Sequence, residues 1–252
     1  MPNEDGKRSN RLLNALPDAD YERVRGRLRR RDVQQKQDLG EAGEPIPEVH
    51  FPVDAVVSIL TRMENGPSVE IATIGNEGVV GLTIAWGGNA MNAREVATVQ
   101  APGEVMSMDA GDFRAELQRQ GALASLVERY TLAFFSQVSQ QVACNGLHSV
   151  EQRCARWLLL THDRVGTDEF PMTHEFLAQM LGVRRASVTV TAGALQRAGF
   201  VQLSRGRVAV VDRAGLEDAV RVLRRDPGGL RPALALTSAR SPENVRSRTK
   251  LE

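Results

Sequence analysis

The stretch that decides the fold runs from residue 171 to residue 212: PMTHEFLAQMLGVRRASVTVTAGALQRAGFVQLSRGRVAVVD. It predicts a short amphipathic helix that starts after Thr173, a good N-cap residue. The apolar residues of that helix are Phe176, Leu177, Met180 and Leu181. Gly182 follows, where a tight turn needs a residue that tolerates positive φ. A second helix is predicted from Arg185 to Ala198, so the pattern indicates two helices joined by a sharp turn.

The second helix has one apolar face and one polar face. Its inner face is predicted to be Val188, Ala192 and Leu195. Its outer face is predicted to carry Arg184, Arg185, Ser187, Thr189 and Thr191. An arginine can donate two hydrogen bonds to guanine O6 and N7, and a hydroxyl can reach a phosphate or a base edge. Because burying such charges without partners is costly, the outer face predicts contact with the DNA major groove.

A short hairpin follows the second helix and predicts a wing. Its strands would be Val201–Leu203 and Val208–Val211, with Ser204-Arg205-Gly206-Arg207 as the turn. Two arginines at the tip suit contacts with backbone phosphates. The predicted DNA-binding residues are therefore Thr173, Arg184, Arg185, Ser187, Thr189, Arg205 and Arg207. The alternative is a winged helix that makes protein contacts only.

The distribution of charge favours the DNA interpretation. The 252-residue chain has a formal net charge of only +1. Residues 173–225 nevertheless hold nine arginines against four acidic residues, a formal charge of +5. A basic surface on the segment that carries the helix pair would attract phosphates.

Residues 33–109 show a different pattern, in which short β-branched runs alternate with turn residues. The predicted strands are Val49–Phe51, Val56–Arg62, Val69–Ile74, Glu95–Val99 and Glu104–Met108. Asn65-Gly66 is a favourable hairpin turn between two of them. Short strands at a spacing of about ten residues are typical of an all-β barrel or jelly roll.

Helices are predicted between these two regions. A short helix capped by Asp109 or Asp112 would precede a long helix from Ala122 to Leu147. One side of the long helix must cover the β domain, and its heptad-like remainder suits a parallel contact with a second copy. The residues predicted for that dimer interface are Leu123, Leu126, Tyr130, Phe134 and Val138. The alternative is a helix packed wholly within one subunit.

The chain is thus predicted to be an α+β protein in four parts. A β-roll sensor domain would span residues 11–120, and a dimerisation helix residues 121–147. A winged helix-turn-helix would span residues 148–225, and a flexible tail residues 226–252. Within the first part, residues 11–32 predict an arginine-rich helix capped by Asp18, with Tyr21, Val24 and Leu28 on its apolar face. Ser149 and Gln152 predict a capping box at the start of a further helix.

Composition excludes several classes of protein. An apolar fraction of 42% and a charged fraction of 25% are typical of a soluble globular protein. No apolar run is long enough to span a membrane and the polar start is no secretory signal, so a cytoplasmic location is expected. The four histidines form no catalytic or metal motif, so no catalytic residue, metal or cofactor is predicted. Cys144 and Cys154 are expected to be reduced thiols, with a redox or metal sensor as the alternative.

The order of these parts resembles the Crp/Fnr family of bacterial transcription regulators. The resemblance spans about residues 11–225 and is strongest over THEFLAQMLGVRRASV, residues 173–188. It implies a cyclic-nucleotide-binding-like β-roll and base reading by Arg184, Arg185, Ser187 and Thr189. Ala186 stands where the family often has a base-reading glutamate, and Val190 where a second arginine is common. These departures imply an operator that differs from the usual family consensus.

The β-roll departs further from the family's cyclic-nucleotide binders. The segment nearest to their phosphate-binding motif is GNEGVVGL, residues 75–82, followed by Arg94-Glu95. Arg94 could hold a phosphate, but Glu95 replaces the usual hydroxyl residue and would repel one. Glu77, Gly78 and Arg94 are therefore predicted to bind an effector other than cyclic AMP, if the roll binds one at all.

The resemblance implies double-stranded DNA and a second copy of the chain as partners, with RNA polymerase and an unidentified small-molecule effector as further candidates. No membrane partner is expected. Two other classes of function compete with the interpretation as a transcription regulator. An enzyme is disfavoured because no paired acid and base groups can be nominated. A sensor that signals through protein contacts alone would bind DNA weakly and without steep salt dependence, which is the discriminating observation.

Overall fold

The structure is a computed structural model that describes residues 10–63, 68–88, 90 and 94–220. The predicted Asn65-Gly66 turn and the predicted tail lie outside the described residues. The described part combines a β-rich N-terminal region, a 26-residue helix and a mixed C-terminal region. Among the helices described, none is long and apolar enough to cross a membrane.

Seven strands form two facing sheets in the N-terminal region. Their bounds are β1 Arg29–Val33, β2 Asp38–Gly40, β3 Glu48–Pro52, β4 Val56–Arg62, β5 Ser68–Ile74, β6 Glu95–Ala101 and β7 Gly103–Asp109. One sheet has the order β1-β7-β3 and the other β2-β6-β4-β5, with all pairings antiparallel. Apolar side chains such as Phe51, Val57 and Ile74 fill the space between them. The predicted β-roll is confirmed, with its five predicted strands within two residues at each end.

Residues 11–33 differ from the sequence prediction. Instead of one helix to residue 32, there are α1 (Arg11–Asn14), α2 (Asp18–Arg25) and then β1. Asp18 is the first residue of α2, not its cap; the side chain of Asn10 caps α1 instead. The arginines of β1 were assigned to a helix face because their partners are remote: Arg30 pairs with Glu104, and Arg31 with Glu48.

Three helices connect the β-roll to the C-terminal region: α3 (Ala110–Gln118), α4 (Ala122–Leu147) and α5 (Val150–Val165). Asp109 caps α3 by accepting hydrogen bonds from the Gly111 and Asp112 amides. Ser149 and Gln152 form the predicted capping box of α5. The long helix has the predicted bounds, since its apolar periodicity is unbroken by proline.

The C-terminal region contains β8 (Glu169–Pro171), α6 (His174–Leu181), α7 (Arg185–Arg197), β9 (Val201–Ser204), β10 (Arg207–Val210) and α8 (Arg213–Ala219). The three strands pair in the order β8-β10-β9. Helices α5, α6 and α7 pack on a shared core that includes Leu158, Leu177 and Leu195. The sequence predicted the helix pair and the hairpin, but missed β8 and α8.

A buried polar network joins the β-roll to α5. The Arg164 guanidinium lies 2.8 Å from Glu77 Oε1, and the two side chains are only 8% and 6% exposed. Glu70 of β5 faces the Trp157 indole nitrogen and accepts hydrogen bonds from Ser58 and Thr73. The β-roll is therefore joined to α5 by specific, buried polar contacts.

Candidate nucleic-acid interface

The turn between α6 and α7 is built as the sequence predicts. Thr173 is the N-cap of α6, and its hydroxyl accepts a hydrogen bond from the Phe176 amide at 3.1 Å. Gly182 has φ of +61°, a left-handed conformation that L side chains rarely adopt. A Cβ added there would also lie 3.1 Å from the Val69 side chain of β5. The turn therefore favours glycine, and a side chain at this position would also crowd Val69 of the β-roll.

Helix α7 buries one face and exposes the other. Val188, Ala192 and Leu195 are buried, as predicted. Arg184, Arg185 and Thr189 are exposed near its N-terminus, whereas Ser187 is half-buried. Thr191 was assigned to the outer face but is buried, because it lies three residues after the buried Val188 and four before the buried Leu195. The exposed end therefore carries two guanidinium groups and a hydroxyl.

His174 adds a contact that the sequence did not reveal. Its Nδ1 lies 3.0 Å from the Thr189 hydroxyl, which donates to the Arg185 carbonyl oxygen at 3.2 Å. Since the hydroxyl has one proton and gives it to that carbonyl, His174 Nδ1 donates to Thr189. This bond ties the start of α6 to the outer face of α7 and fixes the rotamer of Thr189.

The wing lies beside this helix. Arg205 and Arg207 are exposed at the β9–β10 turn, where Gly206 has φ of +79°. The Gly206 carbonyl accepts from the Met172 amide at 2.8 Å, which holds the wing against the start of α6. Arg207 also pairs with Glu169 of β8, so its guanidinium is already partly engaged.

Helix and wing enclose an open groove of about 580 Å³. Its basic lining residues are Arg185, Arg205, Arg207 and His174. Glu175 is the acidic exception, 4.0 Å from Arg185 with both side chains mostly exposed. A weak, solvated pair of this kind is easily replaced by a phosphate or a guanine edge. Four of the seven predicted DNA-contacting residues line this groove: Thr173, Arg185, Arg205 and Arg207. Thr189 contacts the lining residue His174, Arg184 is exposed and Ser187 is half-buried.

The predicted effector residues do not come together. Glu77 is buried and paired with Arg164, and a Cβ on Gly78 would overlap the Tyr130 hydroxyl. Arg94 is hydrogen-bonded to Arg62 at one end of β4. Glu77 follows Ile74, which pairs with Val57 at the other end of β4. Five strand residues separate these ends by about 17 Å. The structure therefore does not bring the three predicted effector residues to one site, because proximity in sequence does not place residues at the same end of a sheet.

The predicted dimer interface also needs correction. Leu123, Leu126 and Tyr130 are buried in the β-roll core, and Phe134 and Val138 pack against that core. They therefore form the side of α4 that covers the subunit's own sheet. The exposed apolar residues of α4 are Leu132, Phe135, Val142 and Leu147. Periodicity predicted an apolar stripe, but the helix has two such stripes and the prediction selected the inner one.

Both cysteines are buried and unpaired by disulfide. Burial raises the pKa of the Cys154 thiol to about 12, so this group stays protonated near neutral pH. Within residues 10–63, 68–88, 90 and 94–220, no group of three or more histidine, cysteine, aspartate or glutamate residues could hold a metal ion.

Part of the C-terminal region matches a known family. Residues 152–219 match the Crp-like helix-turn-helix domain. That segment includes most of α5, then α6, α7, both wing strands and α8. No curated protein sequence matches the chain at a significant level.

Solved structures share most of this architecture. A Crp/Fnr-family protein from Eubacterium rectale matches with a TM-score of 0.66 and 19% identity, over 83% of this chain and 97% of the other. FixK2 from Bradyrhizobium japonicum matches with a TM-score of 0.65 and 15% identity, over 76% and 96%. TTHB099, a CRP-family transcriptional regulator from Thermus thermophilus, matches with a TM-score of 0.63 and 18% identity, over 76% and 96%. At these identities the likeness concerns the fold.

Proposed function

We propose that this chain, which combines a Crp-like helix-turn-helix domain with the fold of Crp/Fnr regulators, is a transcription regulator that binds a palindromic operator as a homodimer. The observation that carries the proposal is the surface formed by Arg184, Arg185 and Thr189 beside the wing arginines. The exposed guanidinium of Arg185 reads a guanine, whereas Arg205 and Arg207 hold phosphates. A regulator of this kind acts on chromosomal DNA, so we propose a cytoplasmic location.

The outer stripe of α4 supports the homodimer. Leu132 and Phe135 are each 69% exposed and Val142 is 67% exposed. Their spacing of three and seven residues fits the apolar positions of a heptad, which suits a parallel two-helix contact with a second copy. A two-fold dimer of this kind would present its two α7 helices to successive major grooves about 34 Å apart.

The β-roll is the natural sensor in this proposal. It contacts α5 through buried polar groups, so a change within the roll alters the position of the helix pair. Any small-molecule effector would act by favouring one arrangement of the two parts. RNA polymerase is a further candidate partner, as for other regulators of transcription.

Salt dependence of DNA binding tests the proposal. A dimer that neutralises several phosphates loses affinity steeply between about 50 mM and 200 mM salt. A sensor that signals only through protein contacts would show weak binding with little salt dependence. Gel-shift titrations of duplexes selected from a randomised library, at two salt concentrations, separate the two functions.

Arg185→Ala tests whether the N-terminal end of α7 reads the bases. We expect it to weaken specific binding by about 1–3 kcal/mol per half-site, because the bidentate contact to guanine is lost. Arg119→Ala, which removes an exposed arginine of the sensor region, is the matched control and should leave the affinity unchanged. Unchanged operator affinity in Arg185→Ala would show that another part of the surface reads the bases.

A further inference from the structure

The middle of the outward face of α7 is apolar. Opposite the buried residues Val188 and Leu195, the period of 3.6 residues places Ala186 and Val190. Val190 is 70% exposed, so its side chain adds nothing to the core of the subunit. The charged and hydroxyl groups of Arg185 and Thr189 lie along one flank of this apolar centre. A recognition surface with this composition calls for an apolar feature on the DNA.

The major groove offers one such feature, the C5-methyl group of thymine. A valine has no donor or acceptor, so it discriminates between bases only by the apolar surface that it buries. We propose that Val190, next to Ala186, reads a thymine methyl in each operator half-site. This inference rests on the proposed function and adds a specificity-determining residue to it.

The helix geometry also indicates where the thymine lies. Val190 follows Arg185 by five residues, which is about 7.5 Å along the helix axis. Base pairs are spaced by about 3.4 Å in the duplex. The thymine is therefore expected within about two base pairs of the guanine that Arg185 contacts.

Uracil substitution provides the test, because deoxyuridine differs from thymidine only by the missing methyl group. The probe is a duplex selected by the full-length protein from a randomised library, with each thymine of both half-sites replaced in turn. One replacement should weaken binding by about fourfold per half-site, or about fifteenfold for the symmetric operator, as expected for one buried methyl.

The variant Val190→Ala assigns that loss to its residue. In Val190→Ala, the loss of affinity caused by uracil at this position should fall below about twofold. The loss of affinity caused by replacing the guanine that Arg185 reads should persist. Val211→Ala is the matched control, since Val211 is 65% exposed in the same region but lies beyond the wing strands. It should retain the full uracil penalty. Both variants change exposed residues, so folding is expected to be preserved and is checked by circular dichroism.

Two outcomes overturn the inference while leaving the proposed function intact. One is a selected operator in which no uracil replacement weakens binding by the wild-type protein. The other is a uracil penalty of equal size in Val190→Ala and in the wild type. A library that yields no preferred duplex is a different result: it overturns sequence-specific binding itself, and the reading of thymine with it.

Discussion

Removal of either partner from the buried ion pair between Glu77 and Arg164 should strongly destabilise the protein. The pair links the end of β5 to α5 across 87 positions of sequence. Glu77→Gln and Arg164→Met remove the charges and largely preserve the volumes of the two side chains. Each single variant leaves one charge in a site that water scarcely reaches.

The geometry sets the size of the effect. Glu77 Oε1 receives the Arg164 Nε at 2.9 Å and Nη2 at 2.8 Å, and also accepts from the Gly75 amide at 3.1 Å. Breaking a buried pair by removing one partner costs about 3–5 kcal/mol, because an uncompensated charge stays buried. The double variant should recover part of this loss, since it leaves no unpaired charge. A coupling energy of about 1–3 kcal/mol is expected in the double-mutant cycle.

The cycle is measured by urea unfolding, followed by the fluorescence of the buried Trp157 at a fixed protein concentration. Concentration must be constant because the stability of a dimer depends on it. The pair Arg30–Glu104 is the matched control, with side chains that are 46% and 22% exposed. Its single variants should cost less than about 1 kcal/mol. Losses in Glu77→Gln and Arg164→Met no larger than in this control would refute the argument from burial.

Two further predictions concern buried groups at the same junction. Desolvation raises the pKa of Glu70 from its ordinary value of 4.5, so the folded state retains a proton that the unfolded state releases. The contribution of Glu70 to the free energy of unfolding should therefore fall as the pH rises above about 4.5, so Glu70→Gln should be more stable relative to the wild type at pH 8 than at pH 5 in denaturant titrations. Burial raises the pKa of Cys154 to about 12, so this thiol should resist iodoacetamide at pH 8 in the folded protein and react only in urea. Modification of Cys154 in the native protein, detected by mass spectrometry, would contradict its burial.

Local patterns predicted the elements whose signals are contained in a short stretch of chain. The bounds of α4 and β4 agree with the sequence because uninterrupted periodicity marks them. The helix pair agrees because Thr173 and Gly182 specify a cap and a turn by local chemistry. The exposure of Arg185 followed from these bounds, since the phase of a helix determines which side chains point outward.

Features that depend on remote partners could not be predicted in this way. The arginines of β1 resemble a solvated helix face until their carboxylate partners are known, and Glu104 is 74 residues from Arg30. The two apolar stripes of α4 differ only in what covers them, so composition cannot assign Leu126 to the inner stripe or Phe135 to the outer one. Glu77 was predicted to bind an effector, since its partner Arg164 is remote in sequence and local patterns could not reveal the ion pair.

The position of β5 predicts that this junction affects DNA binding as well as stability. Val69 touches the Gly182 turn between α6 and α7, and the next residue, Glu70, faces Trp157 of α5. Because α5, α6 and α7 share one close-packed core, a shift of β5 must either move the helix pair as a rigid unit or break these contacts. Loosening the Glu77–Arg164 pair should therefore change operator affinity together with the free energy of unfolding. A change in stability with no change in operator affinity would show that the orientation of α7 is set elsewhere.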